Sequence, residues 1–247
     1  MIKTTPGGRS GPLIIAHRGA SAYAPENTIA AYELALDQGA DLLEMDVHLS
    51  ADDQPVMIHD FTLERTTDGQ GRVREHTVRE LKRLDAGSWF GREYQGQRLQ
   101  TLQEVVERFK ERTRFAIELK GGSDFYPGIE ERVVSLLQIY DVAERCLVLS
   151  FDHRALAKVR EMDPTIRTGA LVAHRPIDPS GLEGIATALC PAANLLTEED
   201  ALRARTAGLD TYVWVVNDAT TMDRMIAFRV TGILTDRPDL LRERLRA

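Results

Sequence analysis

Four short segments hold the residues able to do chemistry, each at or near the end of an apolar run. His17-Arg18-Gly19 follows the first run, Glu44-Met45-Asp46 closes the second, Ile58-His59-Asp60 the third and Glu118-Leu119-Lys120 the fourth. Glu44, Asp46 and Glu118 form an oxygen-only ligand set that suits a hard divalent cation, Mg²⁺ or Ca²⁺. The lack of cysteine in that set, and of a histidine pair at i, i+4, argues against structural zinc. His17 and His59 have ordinary pKa values near neutrality, so they can divide the roles of base and acid. Arg18 offers a two-pronged donor to phosphate, and Lys120 a point charge. A cation, phosphate donors and a proton-transfer pair together point to phosphodiester chemistry.

The strands that carry these groups must bring them to one place. In Leu43-Glu44-Met45-Asp46-Val47-His48-Leu49 the odd positions are apolar and the even ones polar. Side chains alternate faces along a strand, so the apolar set faces a helix layer and Glu44, Asp46 and His48 face a barrel interior. Strands of an α/β barrel are normally apolar on both faces, so an acidic interior needs a compensating partner, and a cation supplies one. Phe115, Ile117 and Leu119 set against Glu118 and Lys120 repeat the pattern.

Strand candidates at 13–16, 42–48, 56–59, 114–119, 146–150, 166–171, 189–193, 210–216 and 232–235 alternate with helical patterns, which predicts parallel strands joined by crossovers. Thr101 with Glu104 reads as a capping box, Thr197 through Asp200 opens another helix that Gly208 closes, and Gly39 closes the helix starting near Asn27. Nine candidates exceed by one the eight strands of a TIM barrel. Only a turn around Asp52-Asp53 separates the second from the third. A parallel pair needs a longer crossover, so these two form an antiparallel hairpin and eight parallel strands remain. A two-residue turn would set His59 directly opposite Asp46, about 5 Å away at Cβ. The expected architecture is α/β: a TIM (β/α)8 barrel with an antiparallel return strand at 56–59, one domain over 1–247. The weakly periodic stretch 61–100 reads as a small excursion over the barrel mouth, with Trp89-Phe90 as its apolar anchor.

The 247-residue chain carries a net charge of −7, which argues against a nucleic-acid surface, so an anionic substrate must be gripped locally. No run has the ~18–20 apolar residues of a membrane span. The Gly/Pro/Ser-containing stretch 1–12 lacks the apolar core of a secretory signal. Cys146 and Cys190 read as two structural thiols in a reducing compartment, so a cytoplasmic location is expected.

Several residues admit a second reading. Glu44 and Asp46 could pair with Arg18 and Lys120 in a purely structural network, and Glu118 with Lys120 in an interior ion pair. His48, nearest the turn, reads as a peripheral polar residue. Tyr212 and Trp214 share a strand face, either as core or as an apolar wall for the organic part of a substrate.

Taken together, the segments Ile15-Ala-His-Arg-Gly19, Ala24-Pro-Glu-Asn-Thr28, Glu44-Met-Asp-Val47, Val56-Met-Ile-His-Asp60, Leu63-Glu-Arg-Thr-Thr67, Leu84-Asp-Ala-Gly87, Ile117-Glu-Leu-Lys120, Ser150-Phe151, Val213-Trp-Val-Val-Asn217 and Leu234-Thr-Asp236 resemble the glycerophosphodiester phosphodiesterase family, in particular its short bacterial cytoplasmic members. The resemblance implies a TIM-barrel enzyme that releases sn-glycerol 3-phosphate and an alcohol from a small glycerophosphodiester. It implies Glu44, Asp46 and Glu118 as metal ligands and His17 and His59 as the acid/base pair. In that mechanism the substrate's neighbouring hydroxyl attacks phosphorus and water opens the cyclic phosphate; His17 is assigned as the first base and His59 as the acid toward the leaving oxygen. Asp52-Asp53 replaces the family's Asp-Gly turn, at a modest backbone cost. Gln100-Thr101-Leu102 replaces its Pro-Thr-Leu. A lysophospholipase D-type enzyme is the nearest rival, and a non-catalytic barrel that binds phosphorylated ligands is a rival of another class.

Overall fold

A computed structural model describes residues 11–246; the stretch 1–10, most of the segment read above as lacking a secretory signal, lies outside it. Among the described residues nine strands form one sheet: β1 (Leu13–Ala16), β2 (Leu42–Leu49), β3 (Pro55–Met57), β4 (Arg114–Leu119), β5 (Cys146–Ser150), β6 (Arg167–Val172), β7 (Ala188–Pro191), β8 (Asp210–Val213) and β9 (Gly232–Thr235). Parallel pairing runs from β1 through β9, β8, β7, β6, β5 and β4 to β2, and a further β1–β2 pairing closes the ring. The eight parallel strands form a TIM barrel, and β3 lies outside the ring, antiparallel to β2.

The helices between strands are α1 (Ile29–Asp37), α2 (Val78–Leu81), α3 (Leu102–Phe109), α4 (Gly122–Phe125), α5 (Ile129–Ile139), α6 (His153–Met162), α7 (Glu198–Thr206) and α8 (Ala219–Ala227), and α9 (Pro238–Arg244) follows the last strand. Their ends follow local chemistry. Thr28 caps α1 by accepting from the Ala31 amide, and Thr101 and Thr197 make reciprocal capping boxes with Glu104 and Asp200. Gly39 and Gly208 then take the left-handed conformations that end α1 and α7. Among the described residues no helix is long and apolar enough to cross a membrane.

Alternation along the strands sorts two cores. Leu43, Met45 and Val47 of β2 pack outward with Phe115 and Ile117 of β4 against Val105, Val106 and Phe109 of α3. Inside the ring, Ile15, Leu42, Ala116, Leu147, Leu149 and Tyr212 make an apolar plug. The plug forms the floor beneath the polar groups. Burying each of its leucine and isoleucine side chains contributes about 1.5–3 kcal/mol, so the floor can hold the charged layer above it in place.

The hairpin differs from the expectation by one residue. Val47 pairs with Met57, His48 with Val56 and Leu49 with Pro55. Ser50 then accepts from Asp53 and donates to Gln54, so the loop has three residues, with Asp53 left-handed at φ 56°. A three-residue loop ending in a left-handed residue is a common hairpin solution, and here Asp53 supplies it. His59 is therefore not opposite Asp46. It lies beyond β3, which begins at Pro55 and ends at Met57, rather than within a strand over 56–59.

The stretch 61–100 builds a small core of Leu63, Val73, Leu81, Ala86 and Leu99 on Val56 and Ile58. Arg65 bonds both Glu26 and Asp60, and the Tyr94 hydroxyl donates to the Tyr23 carbonyl. Of this stretch, only Phe61 lines the cavities at the barrel mouth described below; Trp89 is 41% exposed and lines neither.

Candidate active site

The residues proposed from the sequence as ligands, acid/base groups and substrate contacts gather at the mouth of the barrel: His17, Arg18, Lys120 and Trp214 just past the carboxyl ends of β1, β4 and β8, Glu118 near the end of β4, Glu44 and Asp46 on β2 where it rises past the end of β1, and His59 beyond β3. This is the face where TIM barrels place their chemistry. His17, Arg18, Glu44, His59, Glu118, Lys120 and Trp214 line one cavity of about 220 Å³. It adjoins a more open cleft of about 720 Å³, which shares His59, Glu118, Lys120 and Phe151 with it. Asp46 is fully buried beneath them.

The acidic cluster follows from strand register. Asp46 pairs with Glu118 across the β2–β4 ladder, and Glu44 is two residues back on the same face. One carboxylate oxygen from each of the three lies within 4.8 Å of the others. The turn after β1 delivers the first cationic group: Gly19 N–H bonds the Ala16 carbonyl at 3.1 Å, with Arg18 left-handed at φ 58°. The next residue approaches α1 so closely that a Cβ on Gly19 would lie 2.7 Å from the backbone of Ala31. That turn aims the Arg18 amide at Glu44 Oε2 (2.8 Å) and its guanidinium Nε at Asp46 Oδ2 (3.1 Å). Asn27 braces Asp46 from behind, donating from Nδ2 to Oδ2 at 2.8 Å. Lys120 Nζ lies 2.9 Å from Asp46 Oδ1 and 2.7 Å from Glu118 Oε1.

The structural ion pairs considered from the sequence therefore exist, but they do not balance the site. Three carboxylates face two side-chain cations, and the buried Glu44 Oε1 has no hydrogen-bond partner among the described residues. Burial, reinforced by Asp46, raises the Glu44 pKa above the carboxylate range; burial likewise raises that of Glu118. Burial also works against Asp46, yet Lys120 and Arg18 hold its pKa well below the ordinary value. A buried all-oxygen donor set in which Glu44 keeps a proton and leaves Oε1 without a partner fits a divalent cation, which would take the place of that proton.

Each histidine has a carboxylate behind it. His17 Nδ1 lies 2.7 Å from Asp236 Oδ1, which also accepts from Ser21, while Asn217 donates to Oδ2. His59 Nδ1 lies 2.6 Å from Asp60 Oδ1, and Asp60 is gripped by Arg65. Such a partner fixes Nδ1 as the protonated nitrogen and leaves Nε2 to exchange protons. Their environments differ. Burial opposes a charge on His17, but the Asp236 bond and the nearby Glu44 raise its pKa above 6.5. For His59, burial outweighs Asp46 and, with Lys120, lowers the pKa below 6.5.

Tyr212 is core, fully buried within the barrel. Trp214, half-buried, lines the cavity, with its indole N–H donating to the Cys190 carbonyl at 2.7 Å. The 50%-exposed Phe151 meets Trp214 edge-on at 5.6 Å, making an apolar wall. His48 is not peripheral: it is fully buried, because Tyr126 and Phe61 close over its ring. Asp236, Asn27 and Asp60 gained no role from the sequence. They stand in segments that carry the family resemblance, but no spacing rule pairs position 236 with position 17. Cys146 and Cys190 are both free and buried.

The fold and site define a class: a TIM barrel with a three-carboxylate cluster and a carboxylate-backed histidine pair at its mouth. Residues 17–240 match the glycerophosphoryl diester phosphodiesterase family, and the chain belongs to that family. A glycerophosphodiester phosphodiesterase of Caldanaerobacter subterraneus subsp. tengcongensis is 40% identical over 232 residues, 93% of this chain and 96% of that protein. The crystal structure of a glycerophosphodiester phosphodiesterase from Agrobacterium tumefaciens superposes with a TM-score of 0.83 at 32% identity, covering 93% of this chain and 98% of that one. An Oleispira antarctica phosphodiesterase, solved in complex with the product sn-glycerol-3-phosphate, superposes with a TM-score of 0.90 at 31% identity, covering 96% and 98%.

Proposed function

We propose that this chain hydrolyses small glycerophosphodiesters, such as glycerophosphocholine or glycerophosphoethanolamine, to sn-glycerol 3-phosphate and an alcohol. Glu44, Asp46 and Glu118 would hold Mg²⁺ or Ca²⁺. The observation that carries the reading is the convergence of three carboxylates within 4.8 Å of one another, Glu44 and Glu118 lining the cavity that His17 and His59 share and Asp46 buried beneath it. A divalent cation bound there would neutralise charge on a non-bridging phosphate oxygen.

The chain's own groups then supply the rest. Arg18 and Lys120 hold the phosphate, and Trp214 with Phe151 walls off the glycerol carbons. The opposite pKa directions of the histidines favour neutral His59 as the first base and protonated His17 as the acid, the reverse of the order assigned from the sequence. His59 takes the proton of the glycerol 2-hydroxyl as its oxygen attacks phosphorus, and His17 gives its proton to the departing alcohol oxygen. In the second step His17 takes a proton from water, and His59 returns one to the 2-oxygen as the cyclic phosphate opens.

Metal-stripped protein is assayed for glycerol 3-phosphate release from glycerophosphocholine and glycerophosphoethanolamine, with Mg²⁺ or Ca²⁺ added back. Release only with metal is expected. Folded protein that cleaves detergent-dispersed lysolipid instead would replace this reading with the lysophospholipase D one. A glycerophosphodiester analogue lacking the 2-hydroxyl should be inert; its normal turnover would point to direct attack by water.

A further inference from the structure

His59 performs its proposed task from an unfavourable position. β3 ends at Met57, the last ladder contact is Ile58 N–H to the Asp46 carbonyl at 3.2 Å, and the His59 side chain is 34% exposed. Its backbone is held by another group. His48, on β2 two residues beyond Asp46, has Nε2 2.9 Å from the His59 carbonyl oxygen and Nδ1 2.8 Å from the Tyr126 hydroxyl. A carbonyl only accepts, so Nε2 carries the hydrogen and donates to it. In the neutral ring Nδ1 is then the acceptor, and the Tyr126 hydroxyl donates to it. Phe61 and Tyr126 stand edge-on to the imidazole, with centroids 4.8 and 5.4 Å away, and block its rotation. Both His48 and Tyr126 are buried, at 0% and 3% exposed, where neither water nor a surface side chain can replace these bonds.

We propose that His48 and Tyr126 are a positioning pair for His59: the chain of hydrogen bonds from Tyr126 through His48 fixes the His59 carbonyl where the strand no longer does, and so aims the His59 imidazole at the acidic cluster. The proposal rests on the reading of His59 as a proton-transfer group. The even positions of β2 would then hold two metal ligands and the tether of the base.

Two substitutions at position 48 separate tether from filler. In His48→Gln the side-chain amide nitrogen reaches the place of Nε2 and can still donate to the His59 carbonyl, whereas in His48→Asn it reaches only the place of Nδ1. In His48→Asn kcat is expected to fall about 10- to 100-fold, the range seen when a group orienting a functional side chain is lost. KM and the Mg²⁺ or Ca²⁺ dissociation constant should be unchanged. His48→Gln should recover most of that loss. Tyr126→Phe, which keeps the ring packing, should lower kcat less, again with KM unchanged; it decides the matter if melting shows that His48→Asn does not fold. Wild-type kcat in folded His48→Asn would overturn the tether. So would equal losses in the Gln and Asn variants, or an unchanged kcat in Tyr126→Phe. Deuterium uptake over residues 58–61 separates this failure from failure of the proposed function. Faster uptake in the Asn variant but not the Gln variant supports the tether even where the wild type cleaves no glycerophosphodiester, and equal uptake in both overturns it.

Discussion

His17 and His59 carry the same backing, a carboxylate on Nδ1, yet their pKa values move in opposite directions, and this sets a pH profile. A base must be deprotonated, so activity should fall as pH drops through the lowered pKa of His59. An acid must be protonated, so activity should also fall as pH rises through the raised pKa of His17. In Asp236→Asn the bond that raises His17 is weakened, and the alkaline limb of kcat/KM should move to lower pH. An alkaline limb left in place would remove His17 from the acid role. Replacing either histidine by alanine should cost about 10²- to 10⁴-fold in kcat. Glu44 poses a different residue-scale test. Glu44→Gln keeps the shape and the bond from the Arg18 amide but removes the carboxylate that a cation would bind. Without metal this variant should melt no lower than the wild type. Added metal at a hundredfold its dissociation constant should stabilise the wild type by about 2.7 kcal/mol, and the variant far less. A metal titration followed by thermal shift reads both, and equal metal-dependent shifts would exclude Glu44 as a ligand.

Elements decide where these groups stand. The β2–β3 hairpin shows how one loop residue changes a site. With three loop residues the register moves by one, and His59 leaves the ladder to be held by His48. Asp53 bears the left-handed backbone, which costs an L-residue roughly 1–2 kcal/mol and an aspartate less. Asp53→Gly should therefore leave stability within about 1 kcal/mol of the wild type, since its 3.3 Å ion pair with Arg132 is exposed and worth little. Asp53→Val places a β-branched side chain at that φ and should cost about 1–3 kcal/mol in urea unfolding. A Val variant as stable as the wild type would mean that the loop can adopt another turn. The parallel β2–β4 ladder is less adjustable: sliding it by one residue would turn either Glu118 or the Glu44–Asp46 pair out of the barrel.

At the scale of the whole molecule, barrel closure divides the interior into an apolar floor and a charged mouth. Tyr212 breaks the division, since its hydroxyl is buried in the floor without a hydrogen-bond partner among the described residues. Tyr212→Phe should raise stability by about 1–3 kcal/mol in denaturant unfolding and leave kcat unchanged, because the ring lies below the cavity rather than in it. A loss of stability would show that the hydroxyl is satisfied in solution. Much of this molecule was legible in the chain itself. Alternation in 43–49 and 115–120 specified which side chains face inward, because a strand allows only two faces. The turn around Asp52-Asp53 specified an antiparallel return, because no parallel crossover is that short. Residue types specified an oxygen donor set with two imidazoles. Tertiary structure alone decided what depends on contact between distant segments: Asp236 behind His17, Asn27 behind Asp46, His48 behind His59, and opposite pKa directions for two histidines of identical intrinsic chemistry. Periodicity encodes the direction of a side chain, whereas its partner, its burial and its charge environment exist only once the ring has closed.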